Sequence, residues 1–218
     1  MCGRFVRTSD TQAILREFDA DGGGLDIPPS YNIAPSQVVA VIVNDDRKRL
    51  LLCRWGFVPH WAKDVSKAAI NARAETVAVN RAFSAAFKSH RCLVVADGFY
   101  EWRQSPNGKT PVFIRLKSST TPFGFAGLYS TLTTGEGGVI HTCTIITTQA
   151  NALIAKIHDR MPVIIHKDNY DLWLGPNADG LSALLIPYPD GEMEAHDVST
   201  MVNSPKNNSP LCLTMGNR

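Results

Sequence analysis

Short apolar segments separated by turn-forming residues run through most of this chain. The clearest is the uninterrupted apolar run from Val38 to Val43, which is typical of a buried strand. Asp45-Asp46 predicts a turn that pairs this strand with residues 50–54 as a hairpin. Further strands are expected at 93–96, 112–116, 123–128, 139–147 and 193–198. So many short strands predict a fold built around an antiparallel, barrel-like sheet.

Short helices are expected around this sheet. Ser9 and Gln12 have the spacing of a capping box, which predicts a helix over residues 10–19. Other helices are expected at 79–89, 149–157, 168–174 and 179–185. The sequence therefore predicts an α+β fold with an antiparallel, barrel-like β-sheet core and short peripheral helices, ending in a coil tail over 203–218.

Length and composition limit the class of protein. The 218 residues fit one large domain or two small ones, and a content of 44% hydrophobic and 19% charged residues is typical of an ordinary globular protein. No apolar run approaches the roughly 18 residues of a transmembrane helix, and the N-terminus lacks a signal peptide. The five cysteines form no CxxC pair, which argues against a disulfide framework or a zinc site. We therefore expect a soluble, cytoplasmic monomer without metal or cofactor.

Positive charge is concentrated in the first half of the chain. Residues 1–117 hold 17 Lys and Arg against 11 Asp and Glu, whereas residues 118–218 hold 5 against 9. The most basic span, residues 47–91, has ten cations and only two acidic residues. Such a span is typical of a protein that binds a polyanion, although a solvated surface that is basic by chance gives the same pattern.

The second residue offers an unusual kind of chemistry. A small residue after Met1 generally permits removal of the initiator methionine, which would make Cys2 the N-terminal residue. Its α-amine, with an ordinary pKa of about 7.7–8.0, is then partly unprotonated at neutral pH and can attack an aldehyde to form a Schiff base. The thiol of the same residue can add to the imine carbon and close a thiazolidine ring. The alternatives are that Met1 stays in place, or that Cys2 is only a small buried residue.

Three local clusters carry groups suited to proton transfer and anion binding. Residues 71–75 hold an amide, a guanidinium and a carboxylate, residues 97–102 hold two acids and three aromatic rings, and His158 lies between a predicted helix and a strand. A carboxylate among aromatic rings is desolvated, which raises its pKa and suits it to proton transfer near neutral pH. Each cluster alone is a weak signal, because a carboxylate at a strand end is most often a turn or surface residue and His158 could simply cap the preceding helix.

Six motifs occur together in a recognisable order. They are Met1-Cys2-Gly3-Arg4-Phe5, Tyr31-Asn32-Ile33-Ala34-Pro35, Trp55-Gly56-Phe57-Val58-Pro59, Ile70-Asn71-Ala72-Arg73-Ala74-Glu75-Thr76, Arg91-Cys92 with Asp97-Gly98-Phe99-Tyr100-Glu101-Trp102, and His158-Asp159-Arg160-Met161-Pro162. In these motifs the chain resembles the SRAP family, the SOS-response-associated peptidases, which process abasic sites in DNA. The resemblance runs from residue 2 to about residue 203 and implies the SRAP fold, as a single domain over residues 1–218.

The resemblance also implies a function and a site. It implies that Cys2, once Met1 has been removed by the protein itself, is crosslinked as a thiazolidine to the ring-opened abasic sugar of single-stranded DNA, which shields the lesion during DNA repair. By motif match, Cys2 supplies both nucleophiles and Asn71 positions the amine or the sugar. Glu101 transfers protons, and His158 assists opening of the sugar ring. The Schiff-base step resembles that of a β-lyase. Closure of the thiazolidine ring competes with the strand cleavage that a β-lyase would carry out.

DNA contacts are expected from residues close to these motifs. The cations that suit phosphate contacts are Arg4, Arg73, Arg81 and Arg160. Trp61 and Trp102 are candidates for stacking on bases that flank the lesion, although core packing is an alternative explanation for a tryptophan.

Two other functions fit part of the pattern. Cys2 and His158 would suit a cysteine peptidase that acts on other proteins, which requires a thiolate held beside a base. The basic span 47–91 would suit a non-catalytic module that binds intact and abasic single strands equally well and loses affinity steeply with salt.

Overall fold

The computed structural model describes residues 2–62, 68–105, 108–117, 121–133 and 137–216. Among these residues, thirteen strands and three short α-helices form most of the regular structure. The strands are β1 (Phe5–Arg7), β2 (Ser30–Ile33), β3 (Val38–Asn44), β4 (Lys48–Trp55), β5 (Asn71–Arg73), β6 (Arg91–Ala96), β7 (Gly98–Ser105), β8 (Gly108–Leu116), β9 (Phe123–Thr133), β10 (Val139–Gln149), β11 (Arg160–Pro162), β12 (Ile164–Ile165) and β13 (Met193–Asp197). The helices are α1 (Thr11–Phe18), α2 (Ser84–Ser89) and α3 (Tyr170–Leu174).

Five strands close into a barrel. Strand β3 pairs with β4 and with β6, β6 pairs with β9, and β9 pairs with β10, all antiparallel. The barrel is closed by β10 and β4, which run parallel with Thr142 opposite Arg54. Closure leaves these five strands without a free edge. The predicted α+β fold with a barrel-like core is confirmed, and the parallel pair is a feature that the hydrophobic pattern did not indicate.

A second sheet packs against the barrel. Its strand order is β13-β8-β7-β1-β2, and every neighbouring pair is antiparallel. On β3, Val41 belongs to the core cluster that contains Phe5 of this second sheet, whereas the next residue, Ile42, belongs to the cluster that contains Ile14 of α1. Both side chains are fully buried. Strand β3 is thus covered on both faces, which explains why its buried residues from Val39 to Val43 are apolar without interruption.

The helices differ from prediction mainly at their ends. Helix α1 begins at Thr11 because Asp10, and not Ser9, is its N-cap: an Asp10 carboxylate oxygen accepts a hydrogen bond from the Ala13 amide at 2.7 Å. The Ser9 hydroxyl donates instead to the Asp97 carboxylate at 2.5 Å. A carboxylate is the stronger acceptor for the unpaired amides of a first turn.

Two of the predicted helices are only short 3-10 turns, and two others are shortened. The helices expected at 149–157 and 179–185 are 3-10 turns at Ile154–Lys156 and Leu181–Leu184. The helix expected at 79–89 covers only Ser84–Ser89, and that expected at 168–174 starts at Tyr170. Segments this short gain too few hydrogen bonds to offset nucleation, so tertiary packing sets their form. Among the described residues, no helix is long and apolar enough to cross a membrane.

Candidate active site

Cys2 lies in the core, directly before β1. Its side chain is 0% exposed and its Sγ is 4.0 Å from the Arg4 carbonyl oxygen. Strand β1 pairs with β7 in a register that sets Phe5 opposite Phe99, and the Tyr100 amide donates to the Arg4 carbonyl at 2.9 Å. Continued towards the N-terminus, this register brings Gly3 opposite Glu101. Cys2, the predicted nucleophile, therefore lies close to Glu101, the predicted proton-transfer residue on the paired strand β7.

Asn71 reaches Cys2 from the barrel. It begins β5, which runs parallel to β10 with Asn71 opposite Ile145, and the Trp55 indole donates to the preceding carbonyl, that of Ile70, at 2.9 Å. The Asn71 side-chain amide Nδ2 donates to the Cys2 carbonyl at 2.8 Å. The Oδ1 atom of the same amide is buried and receives no hydrogen bond within the described part of the chain. Asn71 thus fixes the Cys2 backbone and keeps an acceptor beside it.

Glu101 is a buried carboxyl group on β7. Its side chain is 4% exposed, and burial raises its pKa to about 7. Burial, and after it the negative charge of Glu101, raises the pKa of the Cys2 thiol above its ordinary value. A carboxyl group that titrates near neutral pH can both donate and accept a proton there, as the sequence predicts for this position.

His158 stands before β11 and shares a cleft with Glu101. The Arg160 amide donates a hydrogen bond to the His158 Nδ1 at 3.0 Å, which orients the ring. Burial lowers the pKa of His158, so the ring is largely neutral at pH 7. Nδ1 is also 2.8 Å from an Asp159 carboxylate oxygen, a contact that becomes an ion pair only when the ring is protonated.

The cleft has a volume of about 570 Å³. Its lining residues are Arg4, Glu101, Trp102, Gln104, Lys109, Ile157, His158 and Asn203. The guanidinium of Arg4 lies over the Trp102 ring, 5.5 Å from its centroid, and the Trp102 indole donates to the Asn203 side chain at 2.7 Å. Arg4 and Trp102 therefore form one wall of the cleft that holds Glu101 and His158.

Asn32 is a structural support of this wall that was not singled out from the sequence. Its Oδ1 accepts a hydrogen bond from Arg4 at 2.7 Å, and its Nδ2 donates to the carbonyl oxygens of Val202, Ser204 and Asn207. Arg4 also donates to the Val202 carbonyl at 2.7 Å. The C-terminal segment, expected to be a coil tail, thus packs against the motif that contains Asn32. In the sequence, this motif was the only signal that pointed to a role for Asn32.

Arg160 forms an ion pair with Glu75, which lies on the segment that carries Asn71. Its two terminal nitrogens lie 2.8 and 3.0 Å from the two Glu75 carboxylate oxygens, and one of them also donates to the Thr147 carbonyl at 2.5 Å. The guanidinium lowers the pKa of Glu75 below its usual value. The predicted phosphate contact therefore already has an anionic partner within the protein.

The remaining predicted DNA contacts lie outside the cleft. Arg73 on β5 and Arg81 are exposed, and the Arg81 guanidinium lies over the half-exposed Trp61 ring, 5.0 Å from its centroid. Trp61 lines a separate pocket with Phe57. Since Phe57 forms a bridge with Ala69, two residues before Asn71, this pocket adjoins the strand that carries Asn71.

The basic span 47–91 is not one continuous cationic surface. Arg91 is buried and donates to carbonyl oxygens, among them that of Trp173 at 2.7 Å, so its role is structural. Arg47 and Arg49 form ion pairs with acidic neighbours. Lys63 and Lys67 lie outside the described residues. Within the described ranges, His, Cys, Asp and Glu form no group suited to a metal ion, and all five cysteines are free and buried.

Solved structures share this fold. A crystal structure of a protein from Bacteroides thetaiotaomicron superposes with a TM-score of 0.89 at 23% identity, covering 99% of this chain and 100% of that one. A protein from Bordetella bronchiseptica superposes with a TM-score of 0.81 at 24% identity, covering 91% of this chain and 100% of the other. These likenesses bear on the fold alone.

Sequence comparison identifies the family. Abasic site processing protein YoqW of Bacillus subtilis is 48% identical over 96% of this chain and 97% of its own, and YoaM of the same organism is 46% identical over 100% and 99%. Abasic site processing protein HMCES of Xenopus tropicalis is 30% identical over 88% of this chain and 68% of its own. Residues 1–205 match the family described as SOS response associated peptidase. The chain therefore belongs to the SRAP family.

Proposed function

We propose that this protein processes abasic sites in single-stranded DNA by forming a thiazolidine between Cys2 and the ring-opened abasic sugar. The observation that carries the proposal is the arrangement around Cys2: Asn71 holds its carbonyl at 2.8 Å, and the buried Glu101, whose pKa is about 7, lies on β7, the strand that pairs with β1. The names of the relatives from Bacillus subtilis point to the same substrate.

The first step is removal of Met1. Hydrolysis of the Met1–Cys2 peptide bond consumes one water and leaves a free α-amine on Cys2; the peptidase in the family's description agrees with a reaction that the protein performs on itself. The unused acceptor of Asn71, its Oδ1, then has a donor available in the new amine. This hydrogen bond would orient the amine lone pair towards the cleft.

The crosslink then forms by two additions with net loss of one water. A general acid, Glu101 or His158, protonates the ring oxygen of the abasic sugar and exposes the aldehyde. The Cys2 amine adds to the aldehyde carbon, and the hydroxyl leaves as water to give an imine. The Cys2 sulfur adds to the imine carbon, and its proton passes through the Glu101 carboxylate to the nitrogen. No oxidant or reductant is needed.

The DNA strand is proposed to pass along the cleft and the adjoining surface. Arg73 and Arg81 are exposed and suit phosphate contacts, and stacking on Trp61 or Trp102 would be worth about 1–3 kcal/mol for each base. Arg4 contributes its charge from the wall of the cleft. Arg160 remains a predicted phosphate contact, although its guanidinium already contacts Glu75.

A peptidase acting on other proteins is less well supported. That reaction needs a thiolate at neutral pH, and the pKa of the Cys2 thiol is raised by burial and by Glu101. A neutral thiol beside a carboxyl group is better suited to one addition with internal proton transfer than to repeated peptide cleavage.

The test is crosslinking to an oligonucleotide with a single abasic site. We expect a band resistant to SDS, with the combined mass of protein lacking Met1 and DNA minus one water. Cys2→Ala and Cys2→Ser both keep the α-amine but lack the thiol, so each should form no such band without reductant and should yield one only after borohydride reduction of the imine. Cys212→Ala, which removes another buried thiol, is the matched control and should crosslink normally. Equal crosslinking by Cys2→Ala without reductant, or a protein that retains Met1 and still crosslinks, would refute the mechanism.

A further inference from the structure

An ion pair joins the two segments that carry Asn71 and His158. Glu75 lies two residues after β5, which begins at Asn71, and Arg160 lies two residues after His158. The Arg160 guanidinium meets the Glu75 carboxylate with two parallel contacts at 2.8 and 3.0 Å. A bidentate pair fixes the relative orientation of its partners more tightly than a single contact does.

The residue before Glu75 and the side chain of Arg160 both bind the same carbonyl group on β10. The Ala74 amide donates to the Thr147 carbonyl at 2.9 Å, and Arg160 donates to the same carbonyl at 2.5 Å. The side chain of Arg160 is only 13% exposed, whereas that of Glu75 is 44% exposed. Thr147 and Glu75 thus hold the guanidinium from two sides, and this fixes the start of β11.

The backbone of Arg160 in turn holds His158. Its amide is the donor to His158 Nδ1 at 3.0 Å, so the orientation of the imidazole depends on where Arg160 lies. The His158 ring lines the cleft with Glu101. The contacts therefore form an unbroken chain from the Glu75 carboxylate, through Arg160, to the predicted acid of the ring-opening step.

We propose that Glu75 is a positioning residue that acts through Arg160 to hold the orientation of the His158 ring in the cleft. The expected loss of crosslinking rate rests on the proposed function, whereas the expected change at the His158 ring does not. Glu75 itself does not contact the substrate. Its bidentate contact with Arg160 accounts for the carboxylate in the motif that also holds Asn71.

Glu75→Gln tests the proposal because it keeps the size of the side chain and removes the charge. General acid–base groups contribute about 10²–10⁴-fold to a rate, and losing the orientation of one while keeping the group is expected to cost roughly tenfold. The first-order crosslinking rate at saturating protein should therefore fall about tenfold. Affinity for the same oligonucleotide without an abasic site should be unchanged. Glu194→Gln, which breaks the exposed Arg115–Glu194 pair at 2.6 Å on the second sheet, is the matched control.

A double variant separates action through His158 from a general effect. In a His158→Ala background, Glu75→Gln should cause no further loss of rate, because the ring that it positions is gone. Additive losses in the double variant would contradict the proposal. Tighter binding of intact DNA by Glu75→Gln at an unchanged crosslinking rate would also contradict it, and would make Glu75 a competitor of phosphate for Arg160.

Nitrogen NMR of the His158 ring gives a readout that needs no DNA. The Nδ1 signal should move away from its wild-type position in Glu75→Gln, because the hydrogen bond from the Arg160 amide to Nδ1 depends on where Arg160 lies. Unchanged ring signals in Glu75→Gln would overturn the proposal, whether or not the protein crosslinks DNA. Absence of crosslinking by the wild type with altered ring signals in the variant would refute the proposed function alone.

Discussion

Replacing Glu101 by glutamine is expected to stabilise the protein while removing its reactivity. Glu101 is 4% exposed and its pKa is raised to about 7 by burial. The folded state therefore holds its proton more tightly than the unfolded chain does, in which the carboxyl group has its ordinary pKa. Glutamine has nearly the same shape, carries no charge at any pH and has no such proton to lose.

The magnitude follows from the two pKa values. At 1.36 kcal/mol for each pH unit, a pKa of about 7 instead of 4.5 corresponds to roughly 3 kcal/mol. Because the folded pKa is the higher one, the contribution of Glu101 to stability is fully present below pH 4.5 and is lost as the pH rises towards 7. Glu101→Gln should therefore be more stable than the wild type by up to roughly 3 kcal/mol above pH 7, and the gap should shrink towards acid pH.

Urea unfolding of both proteins between about pH 5 and 8 measures this gap directly. In thermal unfolding near pH 8 the same difference would raise the midpoint by about 6–12 °C for a chain of this length. Intact mass of each sample should first establish that both proteins have the same N-terminus, since a new amine lies close to this carboxyl group. Crosslinking of the abasic oligonucleotide should fall about 10²–10⁴-fold in the same variant.

Glu75→Gln provides a control of opposite sign. Arg160 lowers the pKa of Glu75, so this carboxylate contributes stability above its unfolded pKa, and its loss should weaken the fold slightly at neutral pH. If the stability curves of Glu101→Gln and the wild type run parallel with pH, Glu101 does not titrate near 7. Its assignment as the group that both gives and takes a proton would then fail.

Two further predictions concern the support of the cleft and the DNA surface. Asn32→Ala should lower the free energy of unfolding by roughly 2–4 kcal/mol, because it removes the side-chain donor to the Ser204 and Asn207 carbonyl oxygens and the amide acceptor of Arg4. Urea unfolding measures this, and an equal loss in the exposed Asn203→Ala would contradict the reasoning. Arg81→Ala should weaken binding of intact single-stranded DNA and reduce the slope of log affinity against log salt by about 0.7. Arg115→Ala is the control and should leave that slope unchanged. An unaltered slope in Arg81→Ala would show that Arg81 does not contact a phosphate.

The strands could be predicted from the sequence because a strand that is buried on both faces appears as an uninterrupted apolar run. Val41 and Ile42 face different core clusters, so the run that contains them had to be apolar throughout. The helix ends could not be predicted as well, because they depend on distant partners. Ser9 looks like a cap in the sequence, but its hydroxyl is used by Asp97, almost ninety residues later, and Asp10 caps α1 instead.

Much of the candidate site could be predicted only by resemblance. Nothing in the spacing of Cys2, Asn71 and Glu101 says that β1 pairs with β7 or that β5 lies beside β10. Asn32 and Glu75 were missed as supports because their partners, the C-terminal segment and Arg160, are far away in sequence. A local pattern identifies a reactive group more readily than it identifies what holds that group in place.

The burial that costs stability at Glu101 also suits the proposed chemistry. Because the pKa values of Cys2 and Glu101 are both raised, the thiol is neutral and the carboxyl group is partly protonated near pH 7. A free thiolate in this position would attack exposed electrophiles indiscriminately, whereas a neutral thiol reacts only when a base beside it takes its proton. The carboxylate form of Glu101 can be that base once an imine is present to receive the sulfur. In the proposed reaction, burial thus makes the reactivity of Cys2 conditional on a substrate that already occupies the cleft.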